Sequence, residues 1–246
     1  VLPVIAIPTT AGTGSEVGRA ALITLDNERK LGIVSPNLIP TGAICDPELT
    51  RTLPPRLTAA TGMDALSHCV ETYLSPRVNP PADAIALDGL ARAWSNLRLA
   101  VMDGDDMNAR SEMMMAALQG ALAFQKGLGA VHSISHALGG LKGQTLHHGT
   151  LNAVMLPPVL RFNAPACETK YRKIRSLLGL EAGADLASAF AGLNQAIGLP
   201  PNLSEMGLSD DVVETAAQFS FEDHSTATNP RPATAADFAA MIRDAM

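Results

Sequence analysis

The chain has 246 residues, 47% of them hydrophobic and 17% charged, which excludes a disordered protein and allows a substantial buried core. Its formal net charge of −6 argues against a nucleic-acid partner, because binding the phosphate backbone usually needs a basic face. No stretch approaches the roughly 18 consecutive apolar residues of a membrane span. Three scattered cysteines, an odd number, favour a reducing compartment, and hence a cytoplasmic location, over a disulfide framework.

Strand-like segments come first along the chain. They are short and apolar, as is typical of strands that pack against a core. A Gly-rich loop of small polar residues, 8–18, follows the first strand, and Asp26-Asn27 forms a turn between the second and third. The predicted strands cover residues 1–7, 19–25, 31–34 and 42–45.

The pattern becomes helical after residue 53. Apolar side chains recur at helical spacing, and segments rich in Pro, Gly and Asn separate the helical runs. The predicted helices cover residues 56–73, 80–103, 108–126, 129–141, 150–164, 168–178, 183–197, 209–219 and 234–245. The sequence therefore predicts a mainly α protein, with a short β segment (1–52) ahead of an all-helical domain (53–246).

The histidines are clustered, since five of the six fall between His68 and His148. Asp64 and His68 are four residues apart, so on a helix they share a face and make half of a divalent-metal site. The alternative is an ordinary aspartate beside a partly exposed histidine. His132 and His136 repeat this spacing in an apolar segment, where buried imidazoles need partners. They are either ligands or a hydrogen-bonded pair in the core.

A third cluster, His147-His148, precedes a helix predicted to begin near residue 150. By itself this pair is either a source of ligands or a surface turn. Taken together, the three clusters offer one carboxylate and at least three imidazoles, a donor set that suits Fe2+ or Zn2+. The sequence therefore predicts a metal site.

The Gly-rich loop is close to a dinucleotide-binding fingerprint. Residues 12–18 read GTGSEVG, one residue away from G-x-G-x-x-G, and they follow a predicted strand. The fingerprint requires a helix immediately afterwards to hold the pyrophosphate, and the next segment is strand-like. The loop is therefore not a Rossmann motif. It is either an ordinary connection or a small-residue surface on which a cofactor approaches the backbone.

Several motifs, in their order along the chain, resemble the iron-containing (group III) alcohol dehydrogenases. The resemblance covers residues 3–246 and implies a two-domain oxidoreductase of dehydroquinate synthase-like fold. Residues 1–52 are then the C-terminal remnant of an α/β dinucleotide-binding domain, and 53–246 form the helical metal-binding catalytic domain. Only seven residues precede the Gly-rich loop, so we expect the chain to lack most of the nucleotide domain. The motifs are PTTAGTGSE (8–16), DPELT (46–50), ATGMDALSH (60–68), VHSISHALGG (131–140), HGTLNA (148–153) and NPR (229–231).

The resemblance also implies the metal ligands. They are Asp64, His68, His132 and His148, and they hold Fe2+ or in some members Zn2+. His132 and His148 are 16 residues apart, farther than the resemblance implies, and His147 offers a neighbouring imidazole. His148 is preferred because it directly precedes the Gly-x-x-Asn-Ala run.

Further site residues follow from the same resemblance. His136 is expected close to the nicotinamide and the substrate, where it positions them or relays a proton. Lys30 is expected to contact the nucleotide. The cofactor-contacting loop is expected to use Thr9, Thr10, Gly12 and Thr13.

The implied function is hydride transfer between NAD or NADP and a small alcohol or carbonyl compound by a homodimer or larger homo-oligomer. Four alternatives differ in chemistry. A maleylacetate reductase works without metal, and a dehydroquinate-synthase-like relative is a lyase. A helical metal-dependent hydrolase usually has an adjacent His-Asp dyad, whereas this chain has only Asp223-His224 in reversed order. The fourth alternative is an inactive metal-binding fragment.

Overall fold

The computed structural model describes residues 2–26, 30–141 and 146–246, which are mainly helical. This confirms the predicted fold class. No helix in the described ranges has both the length and the apolar character needed to cross a membrane. The α-helices are α1 Pro55–Leu74, α2 Pro80–Met102, α3 Met107–Ala123, α4 Ala130–Leu138, α5 His148–Leu177, α6 Leu186–Ala196, α7 Val213–Glu222 and α8 Ala235–Asp244.

The β segment consists of two separate pairs of strands. Strands β2 (Ala20–Thr24) and β3 (Lys30–Val34) form the predicted antiparallel hairpin. The predicted turn at Asp26-Asn27 lies partly outside the described residues. The strands predicted at 1–7 and 42–45 shorten to a parallel pair, β1 Ile5–Ala6 with β4 Gly42–Ala43. Each has only one partner strand in the described part of the chain, which limits how much of it is paired.

One prediction of the helical pattern is wrong. The spacing predicts two helices over 150–164 and 168–178, but α5 continues through both despite three internal prolines. Pro157 removes the N–H that would bond the carbonyl of Ala153, and the Asn194 side chain of α6 donates to that carbonyl instead, at 2.6 Å. Packing against α1, α4 and α6 keeps the helix intact, which the local sequence does not reveal.

Four of the eight α-helices in the described residues begin at a side chain that caps the first turn. In each of these caps a side-chain oxygen accepts a backbone N–H, as the sequence rules for helix starts predict. Helix α4 is different, because it begins after Gly129, which has no side chain to offer. The capping residues are Asn79 for α2, Asp106 for α3, Asp185 for α6 and Thr234 for α8.

Helix α1 forms the centre of the molecule. It packs against α2, α3 and α5, and nearly every side chain from Thr58 to Leu74 is buried. Gly62 allows α2 to approach, since a Cβ there would lie 2.2 Å from a methyl of Leu97. Polar side chains on this helix therefore lie inside the core, where they need partners.

Two lysines bind the carbonyl end of α1. Lys170 of α5 donates to the carbonyls of Tyr73, Leu74 and Ser75 at 2.8, 3.1 and 2.8 Å. Lys126, which is buried and paired with Asp83, donates to the carbonyl of Thr72 at 3.0 Å. These cations satisfy carbonyls that have no helical donor and oppose the negative end of the helix dipole.

We predict that Lys170→Met lowers the free energy of unfolding by about 2 kcal/mol, because three carbonyls lose a charged donor. Lys173→Met is the matched control, since that lysine is exposed on the same helix. Urea unfolding followed by circular dichroism measures both. Equal stability of the two variants would contradict this role of Lys170.

Candidate metal centre

Three helices bring ionisable side chains to one point in the core. Asp64 and His68 lie one turn apart on α1, and both are buried. His132 and His136 are one turn apart on α4 and are also buried. His148 is the first residue of α5 and is partly buried.

Three imidazoles converge on a single carboxylate oxygen. Nε2 of His68, of His132 and of His148 each lies 3.6 Å from Oδ1 of Asp64. Donor atoms around a tetrahedral ion with bonds of about 2.1 Å are about 3.4 Å apart. Asp64, His132 and His148 offer donor atoms that all lie within 4.8 Å of one another, and His68 approaches the same oxygen of Asp64.

Asn152 lies among these atoms. It is one turn after His148 on α5, and its Nδ2 group donates to Asp64 Oδ1 at 2.8 Å. The same nitrogen is 3.2 Å from Nε2 of His132 and of His148. One amide nitrogen thus lies within hydrogen-bond distance of Asp64, His132 and His148, so these side chains face a common position.

The electrostatics of the cluster favour a cation. Burial lowers the pKa of His68 to about 4 and that of His148 to about 3, so both rings are neutral at pH 7. Burial alone would raise the pKa of the Asp64 carboxyl, but the surrounding imidazoles hold it well below its usual range. Burial opposes a charged His132, yet the Glu71 and Asp64 carboxylates prevail and raise its pKa to about 9.

Carboxylates from elsewhere in the chain bind the far side of both α4 histidines. Oε2 of Glu71 is 2.5 Å from Nδ1 of His132, and Oδ2 of Asp223 is 3.0 Å from Nδ1 of His136. A carboxylate on Nδ1 fixes the orientation and tautomer of an imidazole. For His132 this leaves Nε2 facing Asp64 and Asn152.

His136 lies beside the four converging side chains. Its ring stacks on that of His148 with centroids 5.4 Å apart, and on that of His224 at 5.8 Å. His224 is largely exposed, and its Nδ1 lies 3.6 Å from Oδ2 of Asp223. The three stacked rings extend from the buried cluster towards solvent.

The Gly-rich loop packs directly against this cluster. Oγ1 of Thr13 donates to Oδ2 of Asp64 at 3.2 Å. Gly12 and Gly14 are both buried, and a Cβ would lie 2.8 Å from Thr61 of α1 or 2.2 Å from Ala121 of α3. Gly14 also has a φ of 65°, which disfavours any other residue. These glycines are therefore required by close packing on two helices.

The structure brings some of the predicted site residues together around Asp64 and leaves others away from it. Among the described contacts, neither Thr9 nor Thr10 touches the cluster, and both are exposed. Lys30 begins β3, and its side chain lies outside the described part of the chain. His147 is exposed before α5, so His148 is the imidazole that reaches Asp64. The residues brought together are Asp64, His68, His132, His136, His148 and Thr13.

Three further residues at this site were not singled out as site residues from the sequence. Glu71 follows Asp64 and His68 at the i, i+4, i+7 spacing of one helix face, a signal that could have identified it. Asn152 follows His148 by four residues in the same way. Asp223 carried no such signal, because its distance of 87 residues from His136 is closed only by the fold.

Comparison with known proteins matches almost the whole chain to one family. The profile "Fe-containing alcohol dehydrogenase family, C-terminal" matches residues 58–246, and "Iron-containing alcohol dehydrogenase" matches residues 1–47. The 4-hydroxybutyrate dehydrogenase of Cupriavidus necator is 54% identical over 99% of this chain and 66% of its own length. The NAD-dependent methanol dehydrogenase of Bacillus methanolicus is 41% identical over 100% of this chain and 67% of its own.

A solved structure described as 1,3-propanediol oxidoreductase has a similar fold, with a TM-score of 0.94 and 38% identity. The alignment covers 99% of this chain and 66% of that one. This chain therefore spans about two thirds of the length of the relatives it matches.

We predict that Gly149→Ala disrupts the approach of α5 to α1, because the added Cβ would lie 2.1 Å from the carbonyl oxygen of Ala60. We expect a loss of about 2 kcal/mol in the free energy of unfolding. Gly192→Ala in α6 is the control. Its Cβ meets nothing within 4 Å, so this variant should gain about 0.5 kcal/mol. Thermal and urea unfolding compare the two, and equal stabilities would contradict the close approach.

Proposed function

The chain belongs to the iron-containing alcohol dehydrogenase family, and we propose that it transfers a hydride between a nicotinamide cofactor and a small alcohol or carbonyl compound. The observation that carries the proposal is the convergence of three imidazole nitrogens on Oδ1 of Asp64, each at 3.6 Å. Such a set of one oxygen and three nitrogens suits the divalent metal on which this chemistry depends.

The described side chains fit a divalent cation. Asp64, His68, His132 and His148 would hold it, and the family name favours Fe2+, while Zn2+ accepts the same donors. When bound, the metal supplies a Lewis acid that polarises an alcohol or carbonyl oxygen. Neutral His68 and His148 leave lone pairs free at pH 7, and the buried carboxylates of Asp64 and Glu71 need a positive charge between them.

His136 is the proposed catalytic residue. Its Nδ1 is occupied by Asp223, so Nε2 carries the lone pair in the neutral ring. Stacking on His148 places that ring beside the metal centre, where Nε2 can accept the hydroxyl proton of an alcohol or return it to a carbonyl oxygen. Asp223 holds the orientation that this proton transfer needs.

The Gly-rich loop is the proposed cofactor surface. Thr9, Thr10 and Thr13 are exposed on it, and Gly12 lets the loop lie close to α1. Thr13 also bonds Asp64, so a nicotinamide held on this loop lies next to the metal centre. We assign Lys30 to the nucleotide and NAD as the preferred cofactor, because the methanol dehydrogenase relative is NAD-dependent by name. NADP is the alternative.

Small alcohols and their aldehydes are the proposed substrates. The names of two relatives give 4-hydroxybutyrate and methanol as the first alcohols to test. The same proposal includes a cytoplasmic location, which suits three unpaired cysteines, and a homodimer or larger homo-oligomer. The second candidate is a metal-binding chain without turnover. A metal-free reductase is disfavoured by the complete ligand set.

One assay on the purified chain distinguishes these proposals. We expect one equivalent of bound Fe2+ or Zn2+, and oxidation of NADH or NADPH by a panel of small aldehydes, followed by absorbance. Metal without turnover supports the second candidate. Turnover without metal overturns the proposed ligand set.

We predict that Asp64→Ala and His132→Ala each abolish stoichiometric metal binding, because each removes a donor from the set. His147→Ala is the matched control, since it removes an exposed imidazole adjacent in sequence to His148. Bound metal is measured by elemental analysis after dialysis. A full complement of metal in both ligand variants would overturn the assignment.

We predict that His136→Ala keeps the metal and loses turnover by about 100-fold or more, since it removes the proposed proton acceptor and no metal ligand. Metal content and steady-state rates are measured on the same preparation. Loss of the metal in this variant would place His136 among the ligands, and an unchanged rate would remove it from the chemistry.

A further inference from the structure

The start of α4 is capped by two side chains from distant parts of the chain. Gly129 offers no cap, and instead Oδ1 of Asn229 accepts the N–H of Ala130 at 3.1 Å. Oε1 of Glu71 accepts the N–H of Val131 at 2.7 Å. Residue 129 must be glycine for both to reach, because a Cβ there would lie 2.9 Å from each of these oxygens.

Glu71 uses its other oxygen on the next residue of the same helix. Oε2 lies 2.5 Å from Nδ1 of His132, and the Glu71 residue is only 4% exposed. One buried carboxylate thus accepts two donors, the backbone N–H of Val131 and the ring N–H of His132. Both acceptor oxygens are used, and both donors are satisfied inside the core.

Asn229 is itself held rigidly. It exchanges two hydrogen bonds with Asn163 of α5, at 3.0 and 2.8 Å, and donates to the carbonyl of Arg231 at 2.7 Å. The guanidinium of Arg231 lies over the Phe162 ring, 4.1 Å from its centroid. The Asn229-Pro230-Arg231 motif, which had no role from sequence alone, therefore connects the start of α4 to α5.

We propose that Glu71, supported by Asn229, is a positioning residue that fixes His132 with its hydrogen on Nδ1 and its Nε2 lone pair directed at the metal centre. This inference rests on the proposed function, because it concerns the affinity of that same site for metal. A ligating His132 must have Nε2 free, so Nδ1 carries the hydrogen and needs an acceptor. Glu71 is the acceptor, and its second oxygen sets the position of the helix that carries His132.

The requirement for two acceptors makes a sharp test. Glu71→Gln preserves the shape of the side chain but has only one acceptor oxygen, while Val131 and a ligating His132 present two donors. In either orientation of the amide, metal binding leaves one buried donor unpaired or forces the hydrogen of His132 onto Nε2. We expect metal affinity to fall by about 10- to 100-fold.

The measurement is competition with a chelator for Zn2+ and Co2+, without any activity assay. Asp223→Asn is the matched control, because it removes the other carboxylate bound to an α4 histidine, one that is not a proposed ligand. We expect this control to keep the wild-type affinity. Asn229→Ala should lower the melting temperature yet change the affinity less than Glu71→Gln, since the bond from His132 to Glu71 remains.

Wild-type affinity in Glu71→Gln overturns the inference. If the wild-type chain binds no metal, the proposed function fails instead, and the two failures are thereby distinguished. If Glu71→Gln does not fold, proton–nitrogen NMR of the wild-type histidines decides the question. We expect a slowly exchanging, downfield Nδ1 proton on His132, and its absence overturns the proposed role of Glu71.

Discussion

The buried carboxylate of Asp64 is the constraint around which this molecule is organised. A charged group inside a helical core is stable only when opposite charge or hydrogen-bond donors surround it. Here the ring of His132, the amide of Asn152 and the hydroxyl of Thr13 provide that environment. They come from two further helices and the Gly-rich loop. Stabilising the charge of Asp64 therefore requires α4, α5 and this loop to meet at α1.

Two further carboxylates bind the outer ring nitrogens of the α4 histidines. His132 faces Asp64 with Nε2, so its Nδ1 points away into a buried region where a ring N–H needs its own acceptor. Glu71 serves this purpose for His132, and Asp223 does so for the adjacent His136. Each of these two imidazoles therefore has a carboxylate at its Nδ1. The same Glu71 carboxylate also caps α4, so the position of the helix and the orientation of its histidine are coupled.

Local rules account for what the sequence predicted well and for what it missed. Apolar spacing predicted most helices, and the caps at Asn79, Asp106 and Thr234 involve residues within one turn. The division of α5 was wrong because the donor that replaces the N–H of Pro157 comes from α6, outside any local pattern. The resemblance implies a cofactor contact for Gly12. Gly12 and Gly14 also allow close packing on α1 and α3, a reason visible only once those helices are in place.

The sequence alone predicted the fold class, and it identified the residue pairs from which a metal site could be proposed. Pairs four residues apart on a helix must share a face, so Asp64 with His68, and His132 with His136, could be proposed as units. Their use of a common metal stays a prediction. The folded structure establishes which helix faces meet and that His148, not His147, reaches Asp64. It also shows that Glu71 and Asp223 bind the outer nitrogens of the α4 histidines. Helical periodicity specifies the direction of a side chain around the axis of its own helix. Whether side chains of different helices converge depends on how close α5 can approach α1. That distance is set by Gly149 against Ala60.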